Sequence, residues 1–164
     1  MRAKRRLTHV DASGRARMVD VGQKPETARE AVARGEVIMR PQTLRLIQAN
    51  QVAKGDVLTL AQVAGVMAAK RTHELIPLCH AVPLTDVHVT FRPKTPDRVM
   101  IEAVTRTVGR TGVEMEALVA VAVAALTIYD MCKATDREMS VERVRLVAKR
   151  GGRSGEFRRE GEAT

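Results

Sequence analysis

Four groups of residues have types and spacings that could do chemistry. Asp130 and Lys133 stand three apart near the end of a long apolar run, so on a helix they share a face and can touch. Glu114 and Glu116 stand at the start of the same run, behind a Thr111-Gly112 entry. Cys79 and His80 adjoin in a proline-bracketed apolar stretch, Ile76 to Pro83. Lys149, Arg150 and Arg153 lie in a glycine-rich basic segment, KRGGRSG. Carboxylates and cations at the margin of a buried run must be solvated or paired, because isolated buried ions are very costly, and such margins are where functional groups concentrate.

Each group also has a plainer reading. Asp130 and Lys133 could be a structural ion pair. Lys133 suits a helix C-terminus, where the dipole is negative, but Asp130 does not, which favours a role for Asp130 beyond structure. The Cys79-His80 pair lacks the spacings of a zinc site, and adjacent residues in an extended stretch point to opposite sides, so a Cys-His nucleophile is disfavoured. Cys79 then reads as a small hydrophobe and His80 as a hydrogen-bonding group. The KRGGRSG segment lacks the order of a P-loop, and alone it reads as a solvated tail. Lys54, in a Lys54-Gly55-Asp56 turn, is unremarkable by itself.

The elements that must position these residues follow from pattern. Ala117 to Tyr129 is apolar all round, as in a helix buried on every side, yet shorter than the ~20 residues that cross a bilayer. Ala28 to Met39 has helix-like composition but an alternating set (Ala31, Ala33, Gly35, Val37, Met39), and Gly35 argues against a helix interior, so it reads as a strand. Pro41 opens a helix carrying Leu44, Ile47 and Gln51 on one face. Thr59, with Gln62 three residues on, reads as the cap of a second helix running to about His73, with Leu60, Val63, Ala64 and Met67 inward. Thr85 to Arg92 alternates cleanly (Val87, Val89 and Phe91 against Asp86, His88, Thr90 and Arg92). Pro93 to Asp97 is a turn, and Val99 to Val108 completes an antiparallel hairpin. Val141 to Lys149 is a last strand with Val144, Leu146 and Ala148 on one face. The order is βαββαβ, an α+β ferredoxin-like plait with an antiparallel sheet and helices on one face.

The 164 residues fit one domain. Residues 1–8 form a basic arm, 9–158 the domain and 159–164 a tail. Aromatics make up only 2% of the chain (Phe91, Phe157 and Tyr129), so the core must be aliphatic. The net charge of +9 points to an anionic partner or to a solubilising surface. A basic plait is also the shape of an RNA-recognition module, but that module stacks bases on sheet aromatics, which are scarce here, so nucleic acid is not the expected partner. Two distant cysteines form no disulfide framework, and MRAKRR lacks the apolar run of a signal peptide. The expectation is a reduced, cytoplasmic protein that is not membrane-bound.

The chain resembles the MoaC family, which acts in molybdenum-cofactor biosynthesis. The matching blocks are MVDVG (18–22), KGDVL (54–58), AAKRTHELIPLCH (68–80), GRTGVEMEAL (109–118), ALTIYDMCKA (125–134) and VRLVAKRGGRSGEF (144–157), in family order. The family has proline directly after the loop histidine, where this chain has Ala81 and places Pro83 two residues on. The resemblance implies a ferredoxin-like subunit of a homohexamer, a trimer of dimers with sites shared between subunits. It implies conversion of 3′,8-cyclo-7,8-dihydroguanosine 5′-triphosphate to cyclic pyranopterin monophosphate and pyrophosphate. By motif, Asp130 is the catalytic acid/base with Lys54 and Lys133 as partners. Leu78, Cys79, His80, Met115 and Glu116 line the substrate pocket, and Glu114, Arg106, Arg110 and Lys149 contribute. No cofactor is required, although the triphosphate oxygens would suit Mg²⁺. A catalytically dead structural subunit is disfavoured by the intact YDMCK and LCH segments.

Overall fold

The computed structural model describes residues 13–162. The basic arm 1–8 lies outside the described residues. The elements in order are β1 (Thr27–Ile38), α1 (Pro41–Gln48), α2 (Val57–Lys70), a one-turn α3 (Thr72–Leu75), β2 (Leu84–Lys94), β3 (Arg98–Gly109), α4 (Glu114–Cys132), β4 (Ser140–Arg150) and a short β5 (Phe157–Arg158). The sheet is antiparallel with order β2-β3-β1-β4-β5. The first four strands make the βαββαβ plait expected from the sequence, and β5 adds to its open edge.

β1 is a strand because it is central. It pairs with β3 along its whole length and with β4 on its other side, and this tertiary pairing overrides the helix-like composition of Ala28 to Arg34. On one face Ala31, Ala33 and Val37 are fully buried toward the helices, together with the facing Val99, Ile101 and Ala103 of β3. Gly35 belongs to the same row. A side chain there would place its Cβ 2.7 Å from Val121 Cγ1 of α4, so glycine is what lets the helix lie against the sheet.

α4 is the core helix. Ala117, Ala120, Val121, Ala124, Ala125 and Ile128 have no exposed surface, packed against the sheet and α2. Its 19 residues meet the length and apolarity of a membrane span, but their burial inside this fold accounts for the composition. Within its apolar run one residue breaks the burial: Leu126 is 58% exposed.

α2 packs with the opposite face from the one expected. Val57, Ala61, Gly65, Ala68 and Ala69 face inward, while Leu60, Val63 and Met67 are about half exposed. The cause is close approach: a Cβ at Gly65 would sit 3.0 Å from the Ala120 carbonyl oxygen and 3.4 Å from Ala124 Cβ. A helix crossing this near must present its smallest residues, so the largest apolar ones point away. The cap also differs. Asp56, not Thr59, caps α2, accepting from the Thr59 N–H (3.0 Å) and hydroxyl (2.6 Å). The helix ends at Lys70 rather than His73, and Gln51 lies beyond the end of α1. The hairpin turn is tighter than expected, spanning residues 95–97.

β4 departs from strict alternation. Ala33 pairs with Leu146 but Val32 pairs with Ala148, so Val147 is a bulge residue. Val144 and Leu146 face the helices as expected, whereas the bulge moves Ala148 to the other face. It also moves Lys149 onto the helix face, opposite the buried Ala31.

Gly65→Val tests the close crossing. Although valine has the better helix propensity, overpacking against Ala120 and Ala124 should cost about 1–3 kcal/mol in denaturant unfolding. An unchanged midpoint would show that α2 and α4 are free to separate.

Candidate active site

The residues singled out by the sequence gather mainly at the two ends of α4. At the N-terminal end lies a cavity of about 300 Å³. Leu78, Cys79 and His80 line it from the loop before β2, and Glu114, Met115 and Glu116 from the first turn of α4. Val19, Val21, Lys24, Val82, Thr111 and Gly112 complete it. Two buried threonines of β3 hold this end in place: Thr105 Oγ1 donates to the Val113 carbonyl (2.9 Å), fixing the entry to α4, and Thr107 Oγ1 donates to the Pro83 carbonyl (2.7 Å), fixing the loop.

His80 Nε2 lies 2.7 Å from the Val19 carbonyl oxygen. A carbonyl only accepts, so Nε2 carries the proton, and in the neutral ring Nδ1 is the acceptor. This bond also ties the 18–22 segment over the cavity. Arg110 steadies the same segment, donating from Nη1 to the Gly22 carbonyl (2.9 Å) with Glu26 at 3.7 Å. Lys149, re-aimed by the β4 bulge, lies 3.9 Å from the Glu114 carboxylate and donates to Ser154. Glu114 in turn lies against Gly112, where an added side chain would make its carboxylate shift.

Glu116 is 5% exposed, and burial pushes its pKa up to about 7, with the Glu114 charge adding to the rise. A carboxyl poised there can both give and take a proton near neutrality. Burial also raises the Cys79 thiol, as does the charge of Glu116, which favours its protonated, less nucleophilic form. Among the described residues no group of three or more His, Cys, Asp or Glu is placed to hold a metal ion.

The second group sits at the C-terminal end of α4. Asp130 Oδ1 is 2.6 Å from Lys133 Nζ, and Oδ2 is 3.0 Å from Lys54 Nζ. Lys54 Nζ also donates to the Asp130 main-chain carbonyl at 2.8 Å. Lys54 arrives from the turn before α2, so two distant segments converge on one carboxylate. Lys133 first, then Lys54, holds the Asp130 carboxyl below the usual carboxylate range. All three side chains are about half exposed and open to a ligand. The neighbouring Cys132 is buried and its thiol is pushed up to about 11, chiefly by burial.

Glu116 and Asp130 are fourteen residues apart on one helix, hence ~21 Å apart along its axis. The triad and the cavity are therefore separate places on one chain. Arg106 belongs to neither: it lies on the sheet face away from the helices, between Glu30 and Asp86, each at 2.6 Å.

Both groups fall inside a segment with known relatives. The MoaC family profile matches residues 18–152. The chain belongs to the MoaC family. It is 63% identical over 155 residues to a cyclic pyranopterin monophosphate synthase of Thermomicrobium roseum, covering 94% of this chain and 93% of the relative. It is 65% identical over 152 residues to the same-named protein of Roseiflexus sp., covering 92% of this chain and 96% of that one. It is 61% identical over 153 residues to cyclic pyranopterin monophosphate synthase 1 of Mycobacterium bovis, with 93% and 90% covered.

Sequence reading did not single out Lys24, Val82, Thr105 or Thr107. Lys24 lies just beyond the MVDVG block, and nothing in its local pattern separates it from a surface lysine. The threonines sit at inward positions of β3, where alternation marks burial but not a hydrogen-bonding duty.

Glu116 also predicts how stability depends on pH. Its folded pKa lies above its ordinary 4.5, so the native state binds the extra proton between about 4.5 and 7. That contribution is complete below about 4.5 and is lost as pH rises through about 7. Glu116→Gln should flatten the fall in unfolding free energy across this window and gain up to about 3 kcal/mol on wild type at pH 8. Parallel pH curves for the two proteins would show that Glu116 is solvated.

Proposed function

We propose that this protein is a cyclic pyranopterin monophosphate synthase, a lyase of molybdenum-cofactor biosynthesis. It converts 3′,8-cyclo-7,8-dihydroguanosine 5′-triphosphate to cyclic pyranopterin monophosphate with release of pyrophosphate. The observation that carries this reading is identity above 60% to synthases of that name along nearly the whole of both chains. The two groups at the ends of α4 supply chemistry that the reaction needs.

Opening and reclosing the purine-derived ring are proton transfers. In this reading Asp130 and Glu116 exchange protons with the base, and the hydrogen bond to Val19 sets His80 to orient it. Closing the cyclic phosphate expels pyrophosphate, a phosphoryl transfer in which developing negative charge needs cations around it. Lys54, Lys133 and Lys149 supply that charge. A phosphate that draws Lys54 and Lys133 toward itself also weakens their hold on Asp130. The carboxylate pKa then rises and Asp130 becomes a better base only when substrate is present. None of these steps transfers electrons, so no redox cofactor is invoked, and the triphosphate and pyrophosphate oxygens are those a Mg²⁺ ion would take.

Groups that move protons must stand about 3 Å from the reacting atoms. A gap of ~21 Å on one chain cannot satisfy this for both groups. We therefore assign the site to two chains, the cavity of one subunit facing the Asp130 group of its neighbour. The assembly implied by the resemblance is a homohexamer, a trimer of dimers. The half-exposed Leu60, Val63, Met67 and Leu126 are apolar surface that such neighbours would cover. The two free thiols fit a reducing, cytoplasmic setting.

Asp130→Asn should fold and assemble as wild type and lose about 10²–10⁴-fold in turnover of the cyclic triphosphate, followed by pyrophosphate release. Native turnover by this variant would remove Asp130 from the acid/base role.

A further inference from the structure

Asp136 is a carboxylate with almost no exposed surface (1%), six residues beyond Asp130. It caps a helix from far away in the chain. α1 begins at Pro41 behind Arg40, has no side-chain cap of its own and no acidic residue in its first turn. Asp136 Oδ2 instead accepts from the Arg40 N–H (2.8 Å) and the buried Thr43 hydroxyl (3.0 Å). Oδ1 accepts from the Glu138 N–H (3.2 Å), with Arg40 Nε at 3.7 Å. Burial works against this charge, but these donors hold its pKa below the usual carboxylate range. A charge this deep with all its donors met is a fixed point.

What it fixes are the approaches to Asp130. On one side, the segment after α4 is cinched between Asp136 and the helix end: the Thr135 and Asp136 N–H groups donate to the Cys132 carbonyl (2.9 and 3.0 Å), and the Tyr129 hydroxyl donates to the Arg137 carbonyl (3.1 Å). Lys133 lies inside that cinch. On the other side Asp136 holds the start of α1, whose chain runs on through the turn that carries Lys54. Both lysines on Asp130 thus trace back to one buried carboxylate.

We infer that Asp136 is a positioning residue for the Asp130–Lys54–Lys133 group, locking α1 to the C-terminal end of α4. This rests on the reading of Asp130 given above, and the test separates the two. The charged groups facing Asp130 are Lys133 on α4 and Lys54 before α2. Around Asp136 stand the charged Arg40 and Glu138 and the neutral Cys132 thiol.

The experiment is Asp136→Asn in the full-length protein, with the Asp130 carboxyl pKa followed by carbon-13 NMR and turnover measured alongside. An amide keeps the shape but cannot accept from donors on both sides. Removing a negative charge nearby would by itself lower the Asp130 pKa, so a rise toward the ordinary carboxylate value reports that the lysines have moved. We expect that rise, together with a fall in turnover of about 10²-fold, the usual consequence of a displacement near 1 Å. A folded Asp136→Asn protein whose Asp130 pKa stays put or falls overturns the inference, whatever its turnover. A raised Asp130 pKa with native turnover supports the positioning and overturns the role given to Asp130. Should Asp136→Asn fail to fold, Thr43 carries the same test. Thr43→Val keeps the shape but loses the donor, and should raise the Asp130 pKa and slow turnover. Thr43→Ser keeps the donor and should recover both. The reverse ranking would make Thr43 a packing residue and overturn the inference.

Discussion

The structure depends on how closely α4 can approach its surroundings. On one side Gly35 lets it down onto the central strand; on the other Gly65 lets α2 reach the Ala120 carbonyl. The intervening surface is nearly all alanine and valine. Small side chains bring backbones together, and dispersion and apolar burial then hold the helix on two faces, with Phe91 and Tyr129 packed only at the margin of the core. A helix held so firmly along its length has fixed ends, and both groups of candidate residues gather around those ends. The rigidity of both candidate groups is thus supplied by packing well away from them.

The two ends use opposite electrostatics. At the N-terminal end Glu116 is buried with another carboxylate nearby, and desolvation brings its proton affinity near neutrality. At the C-terminal end Asp130 sits where the helix dipole opposes it, half exposed, and two lysines keep it ionised. Carboxyls pushed apart in this way are suited to different proton-transfer roles. The separation is what motivates the proposed two-chain site, and the outward apolar residues of α2 and Leu126 of α4 are the surface that a neighbour would cover in it.

Much of this was legible in the sequence because periodicity reports burial directly. The β2–β3 hairpin, the apolar run of α4 and the strand nature of β1 follow from alternation and from the place of Gly35. The charged residues that interrupt the ends of α4 stood out for the same reason. The inward face of α2 did not, because pattern reading puts the largest apolar side chains inside, whereas a close helix crossing demands Ala61, Gly65 and Ala68 there instead. Lys149 was legible as a basic residue but not as a neighbour of Glu114, since a one-residue bulge in β4 depends on pairing with β1 and leaves no local mark. Lys54 showed the same limit: only the fold brings its turn to Asp130. The cap of α1 by Asp136, across most of the chain, has no local signal at all.

The most direct test of the two-chain site is subunit mixing. Asp130→Asn and His80→Ala proteins, each inactive alone, are mixed under conditions where subunit exchange is verified, and turnover is measured. If one chain supplies the cavity and its neighbour the Asp130 group, random pairing rebuilds a native site at half of the mixed contacts, and about a quarter of wild-type turnover returns. A fully exchanged mixture that stays inactive would contradict the shared site and require both groups to act within one chain.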